Sequence, residues 1–309
     1  MPHVSEFKLG IGCWAWGDRM IWSYGSTHNL NDLREAFSAS LEANIHFFDT
    51  AEVYGQGASE KLLGRFIHET ATSREVFIAS KFMPFPWRLT KSGFLKALNG
   101  TLSRIGVDSL FLYQIHFPVP PVQINKWMEY LAEAVEKGLI NHIGVSNFNA
   151  KQIRKAVDQL QRYGLSLYSN QVQYNLLDRS IEENGVKSIC EDLNIEIIAY
   201  SPLAMGMLTG KYSVENPPIG ARARKFNARK LALLPPLINT MKQIGSAHDA
   251  KSPSQVALNW LISKGCLPIP GAKNKEQVIL NSGALGWQLE KDEIVELDKA
   301  SDSIKNNNQ

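Results

Sequence analysis

Asp49, Tyr54, Lys81 and His116 are of the types that together can move a proton. A tyrosine hydroxyl, with an ordinary pKa of ~10, is a reluctant acid at neutral pH. A lysine ammonium beside it stabilises the phenolate and lowers that pKa, and a carboxylate beside the lysine keeps the ammonium charged and oriented. A shift of one unit corresponds to about 1.4 kcal/mol, so a useful shift requires close, partly desolvated contact. A histidine within reach can donate a hydrogen bond to a carbonyl oxygen or assist proton relay to the phenol. The set contains no primed nucleophile, and no dense group of His, Cys and carboxylate in the sequence suggests a metal. Its chemistry is protonation of an oxygen while another agent supplies electrons.

Positioning these residues is a matter of strand ends. HFFDT ends in Asp49 and Thr50, VFIASK in Lys81, and LFLYQIH in His116. HIGVSN ends in Ser146 and Asn147, SLYSNQ in Gln171, and IEIIAY in Tyr200, while Tyr54 sits in the loop after Asp49. Successive ends are spaced by about thirty residues, the length of one strand plus its crossover helix. Polar residues at the same end of successive parallel strands meet at one mouth when the sheet closes. Helical stripes separate the runs, the clearest being Ile124, Trp127, Met128, Leu131, Ala132 and Val135. With a first strand over Leu9–Trp14 and an eighth at CLPIPG, the count gives eight strands. The expectation is a (β/α)8 TIM barrel forming a single domain over residues 1–309.

The alternation is interrupted between Ser201 and Pro236, which reads as a long functional loop. It carries Arg222, Arg224, Lys225, Arg229 and Lys230, either a solvated surface or a cover for phosphates. A formal net charge of +3 with 20% charged residues requires neither nucleic acid nor an anionic membrane as partner. Three cysteines without a CxxC pair point to reduced thiols. The opening MPHVSEFKLG lacks an apolar signal core, and a cytoplasmic location is expected.

The missing electrons imply a hydride carrier. Gly10, Gly12 and Gly17 are misplaced for a dinucleotide fingerprint, and no helix follows directly, so a Rossmann reading fails. A better phosphate site follows strand eight at Pro270-Gly271-Ala272-Lys273-Asn274-Lys275. Its two lysines favour a nucleotide with an extra phosphate. Tyr200 could stack on a nicotinamide whose carboxamide Ser146, Asn147 and Gln171 could hold. Trp14, Tyr24, Trp87 and Phe117, in loops at the same mouth, suit a substrate pocket together with Tyr54 and His116.

FDTAEVYG, SKF, YQIHFP, GVSNF, NQVQYN, AYSPLAMGMLTGK and PGAKNKEQV, in this order, resemble the aldo-keto reductase family over nearly the whole chain. The resemblance implies NADPH as cofactor and a catalytic tetrad of Asp49, Tyr54, Lys81 and His116, with Tyr54 as proton donor. It also implies cofactor contacts from Asp49, Ser146, Asn147, Gln171, Tyr200, Ser201, Leu203, Gly271, Lys273, Gln277 and Asn281. Lys211 and Arg224 resemble the pyrophosphate clasps of one branch. Where many relatives carry an arginine near the 2′-phosphate, this chain has Asn274 between two lysines. The Trp-rich first loop resembles a subset that includes pyridoxal reductases.

The expected function is reduction of aldehydes and some ketones, with a small-molecule carbonyl as partner. Pyridoxal reduction is the alternative within the family. A second class stays open, an NADPH-sensing regulatory subunit like the beta subunits of voltage-gated potassium channels, which resemble reductases and can retain the tetrad. A metal-assisted barrel hydrolase lacks a ligand cluster in the sequence.

Overall fold

Short runs rich in Phe, Ile, Leu and Val form eight strands: β1 (Gly10–Gly12), β2 (Phe47–Asp49), β3 (Phe77–Phe82), β4 (Leu110–Ile115), β5 (Ile140–Ser146), β6 (Leu167–Gln173), β7 (Glu196–Tyr200) and β8 (Leu267–Pro268). The computed structural model describes residues 6–70 and 75–306, without the side chains of residues 221, 222, 305 and 306. All the strands pair in parallel with their sequence neighbours, in the order β1 to β8. A parallel bridge between Gly12 and Gly271 and a 3.0 Å hydrogen bond from Gly12 N to Pro270 O bring the two edges together. This is the (β/α)8 barrel expected.

The helices between strands are α1 (Leu30–Glu42), α2 (Ala58–Thr70), α3 (Lys91–Ile105), α4 (Ile124–Glu136), α5 (Ala150–Gln161), α6 (Ser180–Glu183) and α7 (Val186–Asp192). After β7 come α8 (Ala221–Lys225), α9 (Ala228–Ala232), α10 (Leu234–Ala247) and α11 (Pro253–Ser263), and after β8 come α12 (Lys275–Ser282) and α13 (Lys291–Asn306). Their starts are chemically marked. Asn29 with Asp32, Asn149 with Gln152, and Ser252 with Gln255 form capping boxes. Asn274 caps α12 by accepting from Gln277 N. Such caps contribute about 1 kcal/mol each. α4 buries Trp127, Met128, Leu131 and Ala132, the stripe its spacing requires.

Several boundaries differ from the sequence reading: β8 keeps only Leu267–Pro268 of CLPIPG, and β4 stops at Ile115, one residue before His116. β1 is shorter than Leu9–Trp14, because β2 offers only Phe47–Asp49 to pair with, and beyond Gly12 the contact is a single hydrogen bond from Cys13 N to Asp49 O at 2.8 Å. β6 continues past Gln171 to Gln173, since Val172 and Gln173 still pair with β7. The segment from Ser201 to Pro236 is not a bare loop. It holds a 3-10 turn at Ala204–Thr209, two short helices and the start of α10. Pro235 and Pro236 occupy the first turn of α10, where a missing N–H costs no hydrogen bond.

Most of the apolar core lies between the strands and the surrounding helices. A second cluster of Phe47, Ala79, Phe111, Leu112, Tyr168, Ile198, Leu267 and Ile269 fills the other side of the sheet. Along β4, Tyr113 and Ile115 join the first cluster and Leu112 the second. Gln114, two residues after Leu112, therefore shares the interior face. Among the described residues no helix is long and apolar enough to cross a membrane.

Candidate active site

Register explains how distant residues meet. Parallel pairing sets Asp49 beside Ala79, Lys81 beside Gln114, Gln114 beside Gly144, and Ser146 beside Gln171. Gly144 is required by this packing, because a Cβ there would come 2.7 Å from Ser169 Oγ and 2.8 Å from Gln114 Cγ. Tyr54 reaches the same place from the turn after β2. There Gly55 and Gln56 take left-handed backbones with φ of 55° and 57°. A Cβ on Gly55 would stand 2.9 Å from the Gly17 carbonyl.

The assembled centre is a buried, hydrogen-bonded ion pair with a phenol against it. Lys81, completely buried, donates to Asp49 Oδ1 at 2.5 Å, to Thr50 O at 2.8 Å and to Tyr54 Oη at 3.3 Å. Its Nζ also lies 4.9 Å from the Tyr54 ring centroid. The other Asp49 oxygen accepts from Gln171 Nε2 at 2.8 Å and from Gln114 Nε2 at 3.3 Å. Each oxygen of the carboxylate thus has a donor, and all three lysine protons have an acceptor, which is what makes a buried charge pair tolerable. His116 follows β4, with its ring centroid 5.9 Å from that of Tyr54 at 80°. Its Nδ1 is buried without a protein partner.

Electrostatics assign the protonation states. Burial works against the Lys81 ammonium, but Asp49 and then Tyr54 outweigh it, leaving the lysine pKa above its usual value. Burial also pushes the Tyr54 hydroxyl up, and the downward pull of Lys81 does not cancel it. This corrects the expectation that the lysine would lower the tyrosine pKa overall: Tyr54 is a neutral phenol, held ready with its proton on. Burial, reinforced by Lys81, lowers the His116 pKa to about 3, so its imidazole is neutral at physiological pH. The thiols of Cys13, Cys190 and Cys266 are free and buried, and burial pushes all three pKa values up, the last two to about 12. None is a prepared nucleophile. Among the described residues no group of three or more His, Cys, Asp or Glu could hold a metal ion.

Around the centre, Asn147 adopts a left-handed backbone (φ 61°), which asparagine tolerates. Its Nδ2 donates to His116 O at 3.2 Å and to Ser146 Oγ at 2.9 Å, and its Oδ1 accepts from Tyr200 Oη at 3.0 Å. Ser146 Oγ donates to Gln171 O. Beyond Tyr200, the non-glycine residues Ser201, Ala204 and Met205 have positive φ of 50°, 48° and 57°. Strain of this kind costs about 1–3 kcal/mol per residue and concentrates at functional sites. Ser201 and Met205 line a cavity of about 170 Å³ with Asp178, Lys225, Phe226 and Lys230. Part of the basic stretch therefore lies over the strand ends. Lys211 and Arg224 are exposed, and the Arg222 side chain lies outside the described residues. On the far side, Lys273 N donates to Gln277 Oε1 at 2.9 Å, and Asn281 presents a buried Nδ2 without a protein partner.

The aromatic residues divide. Trp14 stands 6.0 Å from Tyr54, and Phe117 stacks on His116 at 4.9 Å. Tyr24 sets its edge against His28, while Trp87, 76% exposed, stacks on Phe85 at 4.8 Å. Two contributors were not anticipated from the sequence. Gln114 is hidden inside its run, although its offset of two from His116 marks a shared face. Glu52 accepts from Met83 N at 2.6 Å and from Arg88, tying the Tyr54 loop to the Trp87 loop.

Comparison with known proteins bears on the chain as a whole. The sequence model described as "Aldo/keto reductase family" matches residues 8–302. The chloroplastic pyridoxal reductase of Arabidopsis thaliana is 41% identical over 97% of this chain and 85% of its own length. A Schizosaccharomyces pombe aldo-keto reductase whose name specifies NADP(+) is 33% identical over 96% of this chain and 89% of its own. A crystal structure of an aldo/keto reductase from Klebsiella pneumoniae in complex with NADP and acetate aligns with a TM-score of 0.74 at 25% identity, covering 94% of this chain and 90% of that one.

Proposed function

Because this chain belongs to the aldo/keto reductase family, we propose that it is an NADPH-dependent reductase of aldehydes and some ketones, in one barrel domain over residues 1–309. The observation that carries this reading is the buried contact of Lys81 with both Asp49 and Tyr54. The residues present fit the cofactor. Lys273 and Lys275 stand at the start of α12, whose N-terminal amides favour phosphate, and the unpartnered Asn281 amide is a buried donor on the same helix. Two lysines there favour NADPH over NADH, as does the NADP in the name of the yeast relative and in the Klebsiella complex. Asp49, Ser146, Asn147, Gln171 and Tyr200 would hold the nicotinamide end; Ser201, Leu203, Lys211 and Arg224 the pyrophosphate; Gly271, Lys273, Gln277 and Asn281 the adenosine end.

When bound, the nicotinamide supplies hydride to the carbonyl carbon. The remaining work belongs to this chain. Tyr54 gives its proton to the carbonyl oxygen as negative charge develops there, and Lys81 stabilises the phenolate left behind. Asp49 keeps Lys81 charged, and Gln114 and Gln171 keep Asp49 in place. Neutral His116 can donate one hydrogen bond to the same oxygen without competing as an acid. Trp14, Tyr24, Trp87 and Phe117 would wall the substrate. The three free thiols suit a reducing, cytoplasm-like compartment.

Pyridoxal is the favoured individual substrate, on the similarity to the Arabidopsis enzyme and the aromatic contact between Trp14 and Tyr54. NADPH oxidation followed across pyridoxal, methylglyoxal and 4-nitrobenzaldehyde, with a matched NADH series, tests the reading. Turnover of at least one aldehyde with NADPH, and weaker turnover with NADH, is expected. Tight NADPH binding without turnover of any carbonyl would instead favour a sensing subunit.

A further inference from the structure

The loops after β1 and β8 interlock at two points far apart in sequence. Trp16, fully buried, donates its indole N–H to Ala272 O at 2.9 Å. Six residues after Trp16, Trp22 meets Lys273, whose Nζ lies 3.4 Å from Trp22 O and 4.8 Å from the centroid of the Trp22 ring. Trp22 is not placed by chance. Asp18 Oδ1 accepts from Ile21 N at 2.7 Å and from Trp22 N at 3.3 Å, which fixes the turn that presents the Trp22 carbonyl. On its other side, Trp22 meets Trp14 edge-on at 5.4 Å and 83°, and Trp14 lies 6.0 Å from Tyr54. An unbroken series of side-chain contacts thus runs from Lys273 through Trp22 and Trp14 to the phenol.

We infer that Trp22 is a positioning residue that couples recognition of the adenosine 2′-phosphate by Lys273 to the shape of the carbonyl pocket at Tyr54. The inference rests on the NADPH reading given above. A phosphate dianion draws the same ammonium that Trp22 engages through its carbonyl and its π face. The seat of the Trp22 ring against Trp14 therefore depends on what Lys273 holds. Trp14, as the wall beside Tyr54, carries that dependence to the substrate. Asp18 holds the Trp22 backbone and Trp16 anchors the loop, which confines the change to the Trp22 side chain. The consequence is that the extra phosphate alters the affinity for the carbonyl as well as the affinity for the cofactor.

Tryptophan fluorescence of the full chain titrated with 2′,5′-ADP, which carries the phosphate but no nicotinamide, reads the first half directly. A change is expected in the wild type, largely lost in Trp22→Phe although calorimetry still detects 2′,5′-ADP binding. Steady-state kinetics read the second half. The wild type should show a lower carbonyl KM with NADPH than with NADH. Trp22→Leu should raise the NADPH value about fivefold at nearly unchanged kcat and erase the difference between cofactors, and Trp22→Tyr, which keeps an aromatic face for the ammonium, should restore most of it. An undiminished fluorescence change in Trp22→Phe, or an unaltered NADPH-to-NADH ratio of carbonyl KM in Trp22→Leu, overturns the coupling. Failure of the wild type to bind NADPH at all would overturn the cofactor reading itself.

Discussion

At one end of the barrel Asp49, Lys81, Gln114 and Gln171 meet in a buried hydrogen-bonded set; at the other, Phe7, Phe47, Phe77 and Phe111 pack with ring centroids 4.8 to 6.3 Å apart. The two ends share strands, helices and pairing, yet their side chains differ in kind. Histidines show the contrast most sharply. His142, in β5, stacks on Tyr168 at 4.0 Å and lies 4.8 Å from Phe111, as part of an aromatic floor. His116 also stacks on an aromatic ring, that of Phe117, but it faces Tyr54 and has Lys81 close enough to help depress its pKa. Position along the barrel axis, more than residue type, decides whether an imidazole packs among aromatic rings or faces the buried ion pair and its phenol. The candidate centre lies at the C-terminal ends of the strands, where barrel enzymes generally carry their sites.

The contrast can be broken by substitution at either end. Lys81→Met should have the largest effect, lowering aldehyde turnover by roughly 100-fold to 10,000-fold. It should also cost about 3–5 kcal/mol of stability, because the Asp49 charge loses its buried partner. Steady-state kinetics and urea unfolding check the two halves, and a variant of near-normal turnover would place Lys81 outside the mechanism. At the floor, Phe111→Ala should destabilise the fold by about 3–5 kcal/mol while leaving kcat and the NADPH affinity of the folded protein unchanged. A large loss of kcat in fully folded Phe111→Ala would erase the proposed division between ends.

Smaller changes sharpen it. Gln114→Leu removes one hydrogen bond to a charged group, worth about 1.5–3 kcal/mol, and kcat should fall about tenfold or more while NADPH binding is kept. An unchanged kcat would limit Gln114 to packing. The last effect concerns pH. His116 is lowered from 6.5 to about 3, so between these values the unfolded chain binds a proton that the folded chain does not. The contribution of neutral His116 to stability is complete above about 6.5 and is lost as pH falls toward 3. Wild type should therefore lose more stability than His116→Phe between pH 7 and pH 4, measured by denaturant midpoints. Equal losses would contradict a neutral, buried His116.

Much of this was legible in the chain, because chemistry-bearing residues close apolar runs at regular intervals and a barrel collects strand ends. Asp49, Ser146 and Tyr200 do end their strands, and Lys81 falls one residue short. Gln114 was harder to read as a participant, since it sits inside an otherwise apolar run; its offset of two from His116 hints at a shared face, and the register with Lys81 reveals its use. α10 was not read from the chain, where the interruption runs to Pro236; Pro235 and Pro236 in fact occupy the first turn of that helix, which tolerates them. The direction of the Tyr54 shift needed the structure as well. The charges that lower it are apparent from residue types, whereas the burial that outweighs them is not.

The central claim is that Tyr54 is the proton donor of a carbonyl reduction, kept neutral by burial and supported by Lys81. Comparing Tyr54→Phe with wild type for NADPH affinity and for single-turnover aldehyde reduction tests it most directly. The predicted result is nearly equal NADPH affinity with reduction slowed by at least about 100-fold. Reduction at the wild-type rate in a Tyr54→Phe protein that binds NADPH normally would contradict it.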